Sequence, residues 1–167
     1  MKGYKQIGKG SFSTVYRKGN ANKVLIISND SVKECMSFGW FPSSRLFPKV
    51  KFVGEHGDNK MYEMKYYHKI TAPKKQLDKR AYELYRVLRE IKSKYSINPA
   101  NKGFTWINAL KELPTKFNRE KQALIKAVES LMNYDTNVAF EISPRNIART
   151  ANNKLVLLDC FFFPGDL

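Results

Sequence analysis

The sequence FEISPRN at residues 140–146, and the run NNKLVLLD that follows at residues 152–159, decide which fold we expect. The first segment places Glu141 and Asn146 around a serine–proline pair, which predicts a loop. The second is apolar, which predicts a short strand, and it ends at Asp159. Singly, Asn146 is better explained as a loop-capping amide and Asp159 as a turn residue after a strand. As a pair they predict a metal–phosphate site, because carboxylate, carbonyl and phosphate oxygens are the ligands that suit Mg²⁺.

The totals for the chain predict a compact protein. Its 167 residues are 43% hydrophobic and 13% aromatic, which is enough for one domain or for two small lobes that share a core. No apolar run reaches the roughly 18 residues of a membrane span, so we expect no membrane partner and a cytoplasmic location. Cys35 and Cys160 lie in apolar surroundings without metal-ligand spacing, and we expect both to be reduced core residues.

The net charge of +15 predicts attraction to phosphates, nucleic acid or an acidic protein surface. The densest basic stretch is KYYHKITAPKKQLDKR at residues 65–80. No known nucleic-acid-binding motif accompanies it, so specific binding of nucleic acid is the less favoured of these interpretations. A solvated basic surface without a defined partner is the simplest alternative.

The first seventy residues read as five strands with one helix after the third strand. The strands are predicted in the segments YKQIGKG, STVYRK, KVLIIS, KVKFVGEH and MYEMKYY, and turn residues separate them. The helix is predicted in DSVKECMSFGW, with a serine or aspartate as its N-cap.

From Gln76 onward the hydrophobic period becomes helical. We expect a long helix in residues 77–95, a loop with Asn98, Pro99 and Gly103, a short helix near TWINALKEL, and another from an Asn118 cap. A small hairpin is predicted from IART, NNK and LVLLD, and Trp40 and Trp106 are expected to be buried. The fold class is therefore α+β, with residues 1–70 as a sheet domain and residues 71–167 as a reduced helical part.

GKGSFSTVY places Gly8 and Gly10 between two strands. Glycines there would let a hairpin lie close over phosphates and offer backbone N–H groups to them. An ordinary hairpin turn explains the same residues equally well when they are considered alone.

The order of these segments resembles the protein-kinase fold, and most closely the short serine/threonine protein kinases of short-tailed bacteriophages. The resemblance covers residues 4–163 and implies a bilobal protein that binds ATP and Mg²⁺. It implies that Glu141 stands at the position of the catalytic base, and that Asn146 and Asp159 are the metal ligands. It further implies nucleotide contacts in the N-terminal part, from Gly8, Gly10, Ser11, Ser13, Lys23, Glu34 and the linker that begins at Met64.

Three departures from the kinase pattern bear on catalysis. Glu141 replaces the usual aspartate, and one extra methylene displaces the carboxylate by about 1.5 Å, which is enough to slow a reaction. Ile26 stands where the third strand should carry a phosphate-gripping lysine, and Lys23 or Lys33 would have to pair with Glu34 instead. Eight residues follow Asp159, so we expect a reduced C-terminal lobe without an activation segment.

Two functions therefore stay open at this point. An active enzyme would transfer phosphate from MgATP to a serine or threonine of a host protein. A catalytically dead pseudokinase would instead bind and inhibit an acidic host protein, or nucleic acid, through its basic surface. Transfer of another group, such as a nucleotidyl group, is a minor third branch.

Overall fold

The computed structural model describes residues 2–95 and 102–166, which form an α+β fold. The chain divides into two compact units, and each is described by itself. The first unit comprises Met1–Trp40 and Pro48–Tyr66, and the second comprises Phe41–Phe47 and Tyr67–Leu167. The short segment Phe41–Phe47 thus belongs with the second unit, which the single boundary predicted near residue 70 does not anticipate.

The first unit is built on a five-stranded antiparallel sheet, as the sequence predicts. The strand order is β1-β2-β3-β5-β4, so that β3 and β5 have neighbours on both sides. One helix, α1, follows β3. The elements are β1 (Tyr4–Lys9), β2 (Ser13–Lys18), β3 (Lys23–Ser28), α1 (Ser31–Ser37), β4 (Val50–His56) and β5 (Asn59–Lys65).

Alternating side chains of β3 and β5 form the core of this unit. Val24, Ile26 and Ser28 on β3 are buried, and they lie opposite Met64, Tyr62 and Lys60 on β5. Successive side chains of a strand point to opposite faces, so these six residues share one face of the sheet. Because Ile26 and Tyr62 are each only 1% exposed, this face is the core of the unit.

Helix α1 begins at the predicted aspartate cap. The Asp30 carboxylate accepts the Val32 N–H at 2.9 Å, which satisfies one of the free donors of the first turn. The same carboxylate lies 3.5 Å from the Lys33 ammonium, and both residues are buried. Asp30 therefore has two roles, as the cap of the helix and as the counter-ion of a buried lysine.

The second unit is mainly helical. Its helices are α2 (Pro73–Gln76), α3 (Lys79–Tyr95), α4 (Gly103–Leu110) and α5 (Asn118–Met132), with short 3-10 turns at Thr115–Phe117 and Pro164–Asp166. The apolar stripe of α3 is buried through Leu84, Leu88 and Ile91, as its helical period predicts. α4 packs against both α3 and α5.

An ion pair joins α3 to α5. The Arg80 guanidinium donates to both carboxylate oxygens of Glu120, at 2.5 and 3.2 Å, and to the Lys116 carbonyl at 2.7 Å. Partial burial alone would raise the pKa of Glu120, but the hydrogen bonds and charge of Arg80 outweigh it. The pKa of Glu120 therefore lies below its ordinary value of 4.5.

Two small sheets complete the second unit. One has the order β6-β8-β9 and contains the predicted hairpin, and the other pairs β7 with β10. Their bounds are β6 (His68–Lys69), β7 (Ala139–Phe140), β8 (Ile147–Arg149), β9 (Leu155–Leu157) and β10 (Phe161–Phe162). The segment Phe41–Phe47 joins this part through the Leu46 carbonyl, which accepts the Leu157 N–H at 2.7 Å.

Several local predictions were wrong. Asn118 is the first residue of α5 and not its cap, because the 3-10 turn before it carries the chain directly into the helix. Trp106 is buried as expected, but Trp40 is 39% exposed where the chain leaves the first unit. Gly103 begins α4 and does not lie in a loop. The loop expected at Asn98 and Pro99 lies outside the described residues.

The prediction that both cysteines lie in the core was confirmed. Neither Cys35 nor Cys160 forms a disulfide, and both are buried. Among the described residues, no helix is both long and apolar enough to cross a bilayer.

Replacing Asp30 by alanine should lower the free energy of unfolding by about 3–5 kcal/mol, because it removes both the cap of α1 and the carboxylate that pairs with the buried Lys33 ammonium. The double variant Asp30→Asn, Lys33→Met keeps a cap acceptor and removes both charges, so it should recover most of the loss. Urea denaturation measures both, with Asp58→Ala in an exposed turn as the control. An Asp30→Ala loss no larger than that of the control would show that the buried pair is unimportant.

Replacing Glu120 by glutamine should make the stability of the protein less dependent on acidic pH. Since the folded-state pKa of Glu120 is depressed, its contribution is present above about pH 4.5 and is lost as the pH falls through the folded pKa. The wild type and Glu120→Gln should therefore differ most near neutral pH and converge in acid. Thermal unfolding between neutral and acidic pH measures the difference. A constant difference at every pH would contradict this assignment.

Candidate functional site

The polar loop at residues 141–146 is fixed by backbone hydrogen bonds to the segment that ends in Asp159. Phe140 of β7 is aligned with Phe161 of β10. One residue further along, the Glu141 N–H donates to the Cys160 carbonyl at 2.8 Å. The sequence predicted the loop but not these two-residue strands, which are too short to show a period.

Asn146 forms the second attachment between the same segments. Its backbone carbonyl accepts the N–H groups of Leu158 at 2.9 Å and Asp159 at 3.2 Å, and the Cys160 thiol lies 3.5 Å from it. Its own N–H donates to the Ser143 carbonyl at 3.1 Å, which closes the loop. The backbones of Asn146 and Asp159 are therefore adjacent, although the two residues are thirteen positions apart in sequence.

The side chains around these hydrogen bonds differ in burial. Ile142, Ile147 and Cys160 are each at most 4% exposed and anchor the two segments in the core. Glu141 is exposed, and Asn146 and Asp159 are half-buried. Within the second unit the structure therefore brings together the three residues that the sequence predicts as a site.

Asn146 and Asp159 suit Mg²⁺ only if a bound ligand supplies further oxygen atoms to the ion. The described residues contain no group of three or more histidine, cysteine or carboxylate side chains that could hold a metal. Asn146 and Asp159 supply one amide and one carboxylate. Mg²⁺ is commonly held by one or two carboxylates together with water and substrate phosphates, so these residues fit a phosphate-bound ion.

The glycine hairpin of the first unit is tied to the end of β3. At the tip, which includes the exposed Ser11, the Gly10 N–H donates to the Ser13 carbonyl at 2.8 Å. The Ser28 hydroxyl lies 2.7 Å from the Ser13 hydroxyl and donates to the Phe12 carbonyl at 2.8 Å. It also accepts the N–H of Asp30 at 3.1 Å, so one buried serine connects the hairpin with the cap of α1.

The local backbone does not require glycine at positions 8 and 10. Neither residue has a positive φ. A Cβ added to Gly8 would meet Val15 at 3.8 Å, and one added to Gly10 would meet the Ser13 carbonyl at 3.9 Å, which are ordinary contacts. Gly103 differs, because a Cβ there would overlap Met132 Cγ.

Each lysine expected beside Glu34 forms an ion pair with another carboxylate. The Lys23 ammonium lies 2.6 Å from Glu63, at an exposed site, and Lys33 is the partner of Asp30. Glu34 instead forms an ion pair with Lys60 of β5. Sequence reasoning missed Lys60, although a signal was present. Lys60, Tyr62 and Met64 alternate along one strand, which places all three on the face that α1 covers.

Tyr62 lies beside this ion pair and within the core. Burial, followed by the nearby carboxylates of Glu34 and Asp30, raises the pKa of Tyr62 to about 12, so the phenol stays neutral at physiological pH. Its hydroxyl is buried and has no hydrogen-bond partner among the described residues. Met64 is aligned with Val24 and Val50, so its backbone is paired on both sides within the sheet. A backbone contact to the adenine base of a nucleotide would therefore have to come from the linker after Met64.

No protein-family model matches the chain, and no curated protein matches it significantly.

Alanine at Gly8 or Gly10 should change the free energy of unfolding by no more than about 1 kcal/mol, and could raise it slightly by restricting the unfolded chain. Alanine at Gly103 should lower it by about 1–3 kcal/mol, because the new methyl overlaps Met132. Chemical denaturation of the three variants measures this. A large loss at Gly8 or Gly10 would mean that the fold itself requires glycine in the hairpin.

Proposed function

We propose that the chain is a reduced protein-kinase-like enzyme that transfers phosphate from MgATP to a serine or threonine hydroxyl of a protein. The observation that carries the proposal is the double attachment at residues 141–146. It holds Glu141, Asn146 and Asp159 on two adjacent backbone segments. The resemblance to the kinases of short-tailed bacteriophages adds a host protein as the acceptor.

Each of the three residues has a role that its chemistry supports. Asn146 and Asp159 would hold Mg²⁺, which would neutralise phosphate charge in the bound nucleotide. Glu141 is exposed, so an acceptor hydroxyl can reach it. In the transfer, the hydroxyl oxygen forms a bond to the γ-phosphorus, the bond from that phosphorus to the β–γ bridging oxygen breaks, and ADP leaves. Glu141 accepts the hydroxyl proton.

The glycine hairpin supports phosphate binding in the first unit. Gly8 and Gly10 are not needed for the backbone conformation or for packing, so their small size is available for the close approach of a ligand. We assign Gly10 and Ser11 at the tip to the phosphates.

We assign to Lys60 the phosphate-binding role that the kinase pattern gives to a lysine at position 26. A buried isoleucine that is 1% exposed cannot contact a phosphate. The Lys60 ammonium is 39% exposed and pairs with Glu34 of α1, so it is both oriented and accessible. Lys60→Met should therefore weaken nucleotide binding more than Lys23→Met.

The alternative function is a pseudokinase that acts by binding. The loss of the lysine at position 26 and the replacement of aspartate by Glu141 favour it. The two functions differ in a simple way, because only the enzyme requires MgATP and turnover.

Saturating MgATP, at about 100 times its dissociation constant, should stabilise the protein by ~2.7 kcal/mol. In a protein of this size that corresponds to a rise of roughly 5–10 °C in Tm. Asp159→Ala should abolish the rise, Gly10→Ala and Lys60→Met should reduce it, and Glu141→Gln should leave it intact. With labelled ATP, Glu141→Gln should slow transfer by about 100-fold or more.

Asp166→Ala is the matched control, since it removes one exposed carboxylate near the same end of the chain. A normal response from this variant would show that the effect at Asp159 is specific. If MgATP gives no thermal shift, the proposed enzyme is rejected. A shift without transfer to any protein would favour the pseudokinase.

A further inference from the structure

A second charged region lies in the second unit and contains none of the residues of the loop at 141–146. It consists of residues 68–79, which include β6 and α2, and residues 147–154, which form β8 and the turn after it. These twenty residues carry six lysines and arginines and one acid, a net +5, compared with +15 for all 167 residues. We call them the basic end; its cations are Lys69, Lys74, Lys75, Lys79, Arg149 and Lys154.

Backbone contacts bring the two segments together. Lys69 of β6 is aligned with Ala148 of β8, and His68 with Arg149. The Asp78 N–H donates to the Asn153 carbonyl at 3.0 Å, which attaches the turn after β8 to the start of α3. The cations of the basic end are therefore held at one place by the fold and are not merely close in sequence.

The single acid of the basic end is already neutralised. Asp78 accepts the Ala81 N–H at 2.7 Å as the cap of α3 and forms an ion pair with Lys154. Burial would raise its pKa, but these hydrogen bonds outweigh burial and hold the pKa of Asp78 below its ordinary value. Lys69, Lys74 and Lys75 are exposed, and the structure gives them no carboxylate partner among the described residues.

The exposed side chains of the basic end suit one class of macromolecular partner better than others. Of the described residues, none of the large hydrophobic side chains that are exposed lies in the basic end. A protein partner usually needs a buried aromatic or aliphatic anchor, and a single-stranded nucleic acid needs aromatic side chains on which bases stack. Lysine, arginine and the exposed amide of Asn152 suit contacts to a phosphate backbone.

We propose that the basic end is a binding surface for the phosphate backbone of double-stranded nucleic acid, without base readout. Such binding would be weak, insensitive to sequence and strongly dependent on salt. It does not depend on the proposed kinase activity, since no residue of the basic end belongs to the candidate site.

Fluorescence anisotropy with a short labelled duplex tests the proposal. The triple variant Lys69→Gln, Lys74→Gln, Lys75→Gln should bind at least about tenfold more weakly at moderate salt. When the logarithm of its binding constant is plotted against the logarithm of the salt concentration, the slope should be smaller in magnitude by about 2–3. Each lost phosphate contact contributes ~0.9 to that slope. The triple variant Lys111→Gln, Arg119→Gln, Lys126→Gln removes the same charge from the residue after α4 and from α5. Its affinity for the duplex should fall by less than about threefold, through net charge alone.

Each other outcome overturns the proposal. Equal losses in the two triple variants would mean that net charge alone drives binding. Absence of wild-type binding at low salt would exclude the surface. Preference for single strands, or for vesicles of anionic lipid that the first triple variant no longer binds, would assign the surface to another partner. Circular dichroism of both variants shows whether they fold, and the MgATP thermal shift should be unchanged in either.

Discussion

The backbone carbonyl of Asn146 is the constraint on which the candidate site depends. One oxygen accepts two N–H groups, from Leu158 and Asp159, and so joins a loop to the end of a strand. A carbonyl oxygen has two lone pairs and can satisfy both donors. The pairing of β7 with β10 adds a second connection, which fixes Glu141 beside Cys160. Because these contacts use backbone atoms, they hold residues 141, 146 and 159 in position without using the side chains of those residues.

The first unit uses buried polar contacts in a similar way. Ser28 connects the hairpin with the cap of α1, and Asp30 both caps that helix and neutralises Lys33. A buried charge costs several kcal/mol unless it is paired, so these contacts specify where α1 must begin. The hairpin with its two glycines is attached to the same serine. Its position is therefore linked to the helix that carries Glu34.

The sequence predicted what depends on periodicity and failed where contacts are few or distant. The five strands, the cap at Asp30 and the long helix α3 follow from alternation, capping chemistry and helical spacing. The strands β7 and β10 contain two residues each, which is too few for a pattern to be visible. Phe41–Phe47 contacts Leu157 and Phe161, which lie more than a hundred positions away in sequence. No local sequence pattern predicts contacts at that distance. The partner of Glu34 also depends on strand register, which the sequence does not give directly.

In the proposed function, Lys60 on β5 takes the place of a lysine on β3 and keeps the same type of carboxylate partner. Adjacent strands lie about 4.8 Å apart, and Lys60 is directly opposite Ser28, two residues beyond Ile26 on the same face. A lysine side chain spans that distance, so its ammonium reaches Glu34 from β5 as it could from β3. The pair is partly exposed, with side chains 39% and 29% accessible, and exposed pairs contribute at most about 1 kcal/mol to stability. Stability alone therefore gives little reason for the pair, whereas an ammonium that is both oriented and accessible is what phosphate binding requires.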